Sequence, residues 1–146
     1  MEIEGTMRNL VLSTVVSFTM LGGSAALADD FIKGVYLESQ ELCAQAKKDS
    51  LQQVIDDGNT MLTASGLEAT EYNCQFLQVS KSKASPGWLV GALCEIPDEM
   101  FPDLLTIRAS DDKATELELV SIKLVDPSNG GGNSDTYYLC DGVPVP

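Results

Sequence analysis

The chain has 146 residues, with 22 acidic and 9 basic side chains, a formal net charge of −13, four cysteines and no histidine. That charge opposes binding to phosphate backbones and to anionic membrane surfaces, while a cationic protein or peptide would be drawn to it at low salt. Without histidine there is no Ser-His-Asp or Cys-His catalysis and none of the usual zinc enzyme sites.

Residues 1–28 read as a signal peptide. Arg8 supplies positive charge, Leu10 to Leu21 is an apolar run, and Ala26-Leu27-Ala28 places small residues where a signal peptidase cuts. The run falls short of the ~20 residues that span a bilayer, and Ser and Thr interrupt it. Glu2 and Glu4 are out of place in a positive leader, so Met7 is the expected start. No cysteine near the cleavage site would carry a lipid anchor. Cleavage leaves residues 29–146, 118 of them (146 − 28), as one small domain with 20 acids against 8 bases and a net charge of −12. A periplasmic or secreted location follows, with no membrane span in the mature chain.

In chain order, Phe31 to Leu37 predicts a short strand. Ser39 to Lys48 and Ser50 to Asp57 predict helical turns. Ser39 and Ser50 serve as caps, Ser50 with Gln53 forms a capping box, and Gly58 is the stop. Thr60 to Ala64 reads as a strand closed by Ser65-Gly66. Glu71 to Ser80 and Gly87 to Ile96 read as a hairpin folded about Ala84. In that register Cys74 faces Cys94, Phe76 faces Ala92, Tyr72 faces Ile96, Gln78 faces Val90 and Ser80 faces Trp88. Leu77, Val79, Leu89 and Leu93 lie on the opposite face. Leu104 to Ala109 and Thr115 to Val125 predict a second hairpin about Asp112. There Ile107 faces Leu117 and Leu105 faces Leu119, with a β-bulge near Leu119. Asp126 to Asp135 reads as a flexible loop, Thr136 to Cys140 as a last strand, and the Pro-rich tail as frayed. The expected fold is therefore α+β, mainly β. An N-terminal helical segment packs on a hairpin-ordered antiparallel sheet of about 5–6 strands.

An even number of cysteines in an exported chain points to disulfides. The hairpin register joins Cys74 to Cys94, since directly opposed positions are within disulfide reach, and Cys43 pairs with Cys140 by elimination. No C-x-x-C motif is present, so neither a metal site nor a redox site is expected of them.

Little catalytic chemistry remains. Glu95, Asp98 and Glu99 are candidates for a carboxylate pair of the glycosidase kind, but acidic neighbours arise by chance in so acidic a chain. Asp126-Pro-Ser-Asn-Gly130 begins like a calcium loop. Its twelfth position is Tyr137 rather than Glu, which breaks the EF-hand pattern and leaves only an irregular calcium site to consider. Gly130-Gly131-Gly132 lacks the Lys-Ser/Thr of a phosphate cradle. Trp88 near the hairpin tip could be an exposed anchor, though its place on the disulfide face favours core. Tyr137-Tyr138 puts one ring in and one out, and the outward ring is a candidate for ligand contact. No catalytic, cofactor or metal residue is assigned.

Gly34-Val35-Tyr36, Glu41-Leu42-Cys43, Gly66-Leu67, Glu71 to Phe76, Trp88 to Cys94 and Tyr138-Leu139-Cys140 resemble small, uncharacterised four-cysteine exported proteins of alphaproteobacteria. The resemblance spans most of the mature chain and rests on structural cysteines and aromatics, so it implies compartment and fold only. Small periplasmic lysozyme inhibitors are an analogy at the level of fold. The expected function is a non-enzymatic binding module acting on a periplasmic or extracellular protein or envelope component. One specific form is an inhibitor of a cationic lysozyme-like enzyme. The alternatives are a structural or stress-related envelope protein without a discrete ligand, and a carboxylate-based hydrolase.

Overall fold

The computed structural model describes residues 31–121 and 134–146. The signal-peptide reading of residues 1–28 and nearly all of the Asp126–Asp135 loop lie outside them. Chain order is β1 (Tyr36–Leu37), α1 (Gln40–Lys48), α2 (Leu51–Asp56), β2 (Met61–Thr63), β3 (Gly66–Glu68), β4 (Asn73–Lys81), β5 (Gly87–Ile96), β6 (Glu99–Ala109), β7 (Glu116–Ser121) and β8 (Ser134–Leu139). Every neighbouring pair is antiparallel, and β1 also pairs with β8 through Tyr36–Leu139 and Leu37–Tyr138. The eight strands therefore close into a barrel. This corrects the expected α+β fold with a sheet of about five to six strands: the molecule is mainly β, an eight-stranded closed barrel with two short helices. Closure removes both sheet edges, which an open sheet would have had to protect by other means.

One strand and the first half of another escaped the sequence reading for identifiable reasons. β3 begins at Gly66, which reads as a stop. Its φ of +156° and a would-be Cβ only 1.9 Å from the Cys74 carbonyl oxygen show why glycine is required where β3 crosses close to β4. The first half of β6 contains Pro102 and follows Pro97-Asp98, so it reads as loop. Pro97-Asp98 is instead a tight hairpin turn, with Ile96 opposite Glu99 and Asp98 at φ 67°. From there Phe101, Asp103, Leu105, Ile107 and Ala109 alternate inward along the strand.

The β4–β5 register matches the expectation from Asn73–Glu95 to Phe76–Ala92 and then shifts at Leu77. Beyond this bulge Gln78 faces Gly91, Val79 faces Val90, Ser80 faces Leu89, and Lys81 rather than Ser80 faces Trp88. The extra residue turns Val79 into the core, where it is buried, and leaves Gln78 outside. Tyr72 lies just before β4, so its expected pairing with Ile96 is not part of the ladder. The β6–β7 hairpin is set two residues further along than expected, with Ile107 opposite Leu119 and Leu105 opposite Ser121. The same faces are kept. No bulge occurs at Leu119 within the described part of β7, which alternates regularly up to an inward Ser121. A polar residue at that inward position is what made the apolar phase read as slipped.

The helices form as the caps dictate. Ser39 Oγ accepts from Leu42 N at 3.2 Å and Ser50 Oγ from Gln53 N at 3.1 Å. The capping box is half made, since the Gln53 side chain donates to Asp57 instead of reaching back to Ser50. Two cores result. The larger fills the barrel with Tyr36, Leu62, Phe76, Trp88, Val90, Leu105, Ile107 and Leu117, and Phe31 enters it to meet the rings of Phe76 and Trp88 edge-on. The smaller lies between the helices and the outside of the barrel and includes Val35, Leu37, Ala46, Val54, Ile55 and Met61. Each core has its own disulfide. Cys74–Cys94 joins β4 to β5 inside the barrel, and Cys43–Cys140 ties α1 to the end of β8. Among the described residues no cysteine is free, and no helix is long and apolar enough to cross a membrane. The two disulfides fit an oxidising, extracytoplasmic environment.

Candidate functional site

With the helices covering one side of the barrel, the outer face of β4–β6 is left to solvent. Leu77 (47 % exposed), Leu89 (45 %), Met100 (61 %) and Leu104 (38 %) point outward there. They share one face of adjacent strands without being direct ladder partners. Leu89 faces Thr106, Leu104 faces Gly91, and the half-buried Leu93 faces Pro102. Leu77 owes its outward direction to the β4 bulge. Scattered exposed leucines are ordinary, but a contiguous apolar stripe on a small acidic protein is not. Glu95 lies directly across from Met100, and the turn beyond carries Asp98 and Glu99. One end of the stripe is therefore rimmed with carboxylate. At the other end Arg108 forms an ion pair with Glu118.

Glu95, Asp98 and Glu99 thus sit together on an exposed hairpin tip, and none of them lines a described cavity. The sequence reading missed a different carboxylate. Asp103 is buried inside the barrel, where it accepts from Ser121 Oγ at 2.5 Å and from Leu104 N at 2.7 Å. The signal was its phase. Asp103 occupies an inward slot between Phe101 and Leu105, and a buried carboxylate needs such partners.

The barrel has two mouths of different character. At the end where β4 starts and β5 finishes, a cavity of about 180 Å³ is lined by Glu38, Thr60, Tyr72, Ser121, Asp135 and Tyr137, among others, with two carboxylates and no cation in its lining. Burial pushes the Tyr137 phenol well above its ordinary range, Asp135 and Glu38 push further, and a hydrogen bond with Thr60 acts the other way. Burial likewise raises Tyr72, with Asp103 and Asp135 adding to it. The Tyr72 hydroxyl lies 3.0 Å from Cys74 Sγ and 3.7 Å from Cys94 Sγ, so the phenol packs on the inner disulfide. Both phenols hold their protons, and the mouth is a cluster of neutral hydroxyls beside acids. Among the described residues, no group of three or more Cys, Asp or Glu is placed to hold a metal ion.

The opposite mouth is larger, with a cavity of about 620 Å³ between the N-terminal segment, Lys81, Pro86, Trp88 and the β6–β7 loop. Trp88 is buried there as a core residue rather than an exposed anchor, and its Nε1–H has no hydrogen-bond partner among the described residues. A buried donor left so costs about 1–3 kcal/mol. Tyr36 closes the mouth on one side by donating to the Ala114 carbonyl at 2.8 Å. Of the tyrosine pair, Tyr137 points inward and is buried, while Tyr138 is half-buried on the outside. Comparison of the chain with protein-family models, with curated proteins and with solved structures finds no match.

Proposed function

We propose that the protein is a periplasmic or secreted, non-enzymatic binding module whose partner is a cationic protein or envelope component. A lysozyme-like enzyme is one specific form of that target. The observation that carries this reading is the apolar stripe Leu77–Leu89–Met100–Leu104 with the carboxylates Glu95, Asp98 and Glu99 at its end. A basic, partly apolar surface would complement both parts. The leucines would supply affinity, since each half-exposed side chain has roughly 1 kcal/mol of apolar burial still to gain. The acids and the net charge of −12 on residues 29–146 would speed and orient the encounter.

The test is retention of envelope proteins, and of a purified cationic lysozyme, on the immobilised oxidised chain at low and at physiological salt. Wild type and the double variant Leu89→Asp/Leu104→Asp are compared after circular dichroism confirms equal folding. Retention that survives physiological salt and drops about tenfold in the variant supports the reading. Retention that vanishes with salt and is equal in both proteins is ion exchange on an acidic surface and overturns it.

A further inference from the structure

We infer that the groove at the Arg108 end of the outer stripe is the seat for one aromatic side chain of the protein partner. The inference rests on the binding-module reading and deepens it. The groove has a volume of about 480 Å³, within the usual range for ligand sites. Three strands make its floor. Leu89 of β5, Thr106 of β6 and Val120 of β7 stand in one line across the ladder. Gly87, Arg108 and Glu118 form the next line on the same face. A Cβ at position 87 would lie 2.9 Å from the Ile107 carbonyl oxygen, so the close approach of β5 to β6 calls for glycine and leaves the floor bare there.

The wall is preformed. In the β4–β5 loop Ser82 N donates to the Gly87 carbonyl at 2.8 Å, and Gly87 N to the Ser85 carbonyl at 2.8 Å. Ala109 N donates to the Pro86 carbonyl at 2.9 Å and ties the loop to β6, while the Ser82 and Ser85 hydroxyls bond at 3.0 Å. A wall already ordered loses little on binding. The chemistry of the groove favours a ring. Arg108 is held by Glu118, yet its side chain stays 66 % exposed. A guanidinium fixed in that way offers a flat face on which an aromatic ring stacks. The pair cancels in charge, and no other charged residue lines the groove. A neutral ring gains from Leu89, Val120 and the guanidinium together, as aromatic anchors in pockets do. From Gly87 to Glu95 is eight residues of β5 (95 − 87), about 26 Å. The partner therefore carries its aromatic anchor about that far from the basic residues that meet Glu95, Asp98 and Glu99.

The experiment follows the backbone amides of the folded, oxidised chain by NMR. The probes are N-acetyltryptophanamide, a neutral aromatic, and N-acetylleucinamide, its aliphatic control. We expect saturable shifts centred on Leu89, Thr106, Arg108 and Val120 with the aromatic probe, and binding of the control at least about threefold weaker. Arg108→Met keeps the stem and removes the guanidinium, and should weaken the aromatic probe about two- to fivefold. Thr106→Trp, at an exposed strand position, fills the groove and should abolish probe binding. Circular dichroism confirms the fold of each variant. No saturable shift, equal binding of the two probes, or undiminished affinity in Arg108→Met would each overturn the seat, even where the leucine stripe still retains a partner. A partner held equally by wild type and Thr106→Trp would overturn it too. Probe binding as expected with no protein retained at physiological salt overturns the binding-module reading instead.

Discussion

Three of the four tyrosines carry hydroxyls that burial holds in the neutral form. Desolvation of the phenolate is the leading cause in each. Asp111 adds to it at Tyr36, Asp103 and Asp135 at Tyr72, and Asp135 and Glu38 at Tyr137. The folded values lie above the ordinary 10.0, so the folded chain keeps protons that the unfolded chain releases. The stability they contribute is complete below pH 10.0 and is lost as pH rises through the folded values. We expect urea midpoints measured on either side of pH 10.0 to fall steeply on the alkaline side, and the fall to be shallower in Tyr137→Phe. An equal fall in both proteins would mean that Tyr137 titrates as it does in the unfolded chain. At this scale the cysteines were legible, because oxidised pairs follow from compartment and register. Asp103 was not, because its burial depends on Ser121 from another strand reaching the same point of the interior.

Among the elements, β4 carries the most information per residue. Its inward residues are Cys74, Phe76 and Val79, a spacing of two and then three. Strict period two cannot satisfy that spacing, and the bulge at Leu77 does. Deleting Leu77 removes the extra residue and leaves Val79 opposite Val90 in an unbroken ladder. We expect that deletion to fold, with stability within about 1 kcal/mol of wild type by urea denaturation. It should also remove one leucine from the outer stripe and weaken partner retention. Deleting Leu93 from the regular β5 instead reverses the faces of the residues on one side of it, and Cys94 can no longer meet Cys74. If both deletions unfold the protein alike, the bulge is not an insertion in this sense. The bulge itself was present in the sequence as the apolar residue Val79 on an otherwise outward phase. Period-two reading assigned it to the wrong face because nothing local separates a bulged strand from a two-sided one.

For the molecule as a whole, the two disulfides hold different bodies. Cys74–Cys94 closes a short loop within the barrel, while Cys43–Cys140 closes one of 97 residues and fastens the helices to the outside. In the chain-entropy account a loop near that length is worth about 4.7 kcal/mol. We expect Cys43→Ala/Cys140→Ala to lose about 2–5 kcal/mol. In hydrogen exchange, protection of α1 and α2 should fall before that of β4–β6, because the outer cluster loses its covalent anchor and the barrel keeps its own. Uniform loss across both would show one cooperative core instead of two.

The sequence by itself determined the helix caps, the stop at Gly58, the disulfide pairing and the inward phase of β5 and of the first part of β4. These depend on neighbours along the chain or on a single hairpin. Only the tertiary structure decided that the sheet closes. Closure rests on strands two or three residues long, on a glycine that looks like a stop, and on β1 meeting β8 across almost the whole described chain. The same holds for the two mouths and the bare outer stripe, whose residues come from distant segments. No local pattern encodes which of several apolar faces a closing barrel takes inside and which it leaves to water.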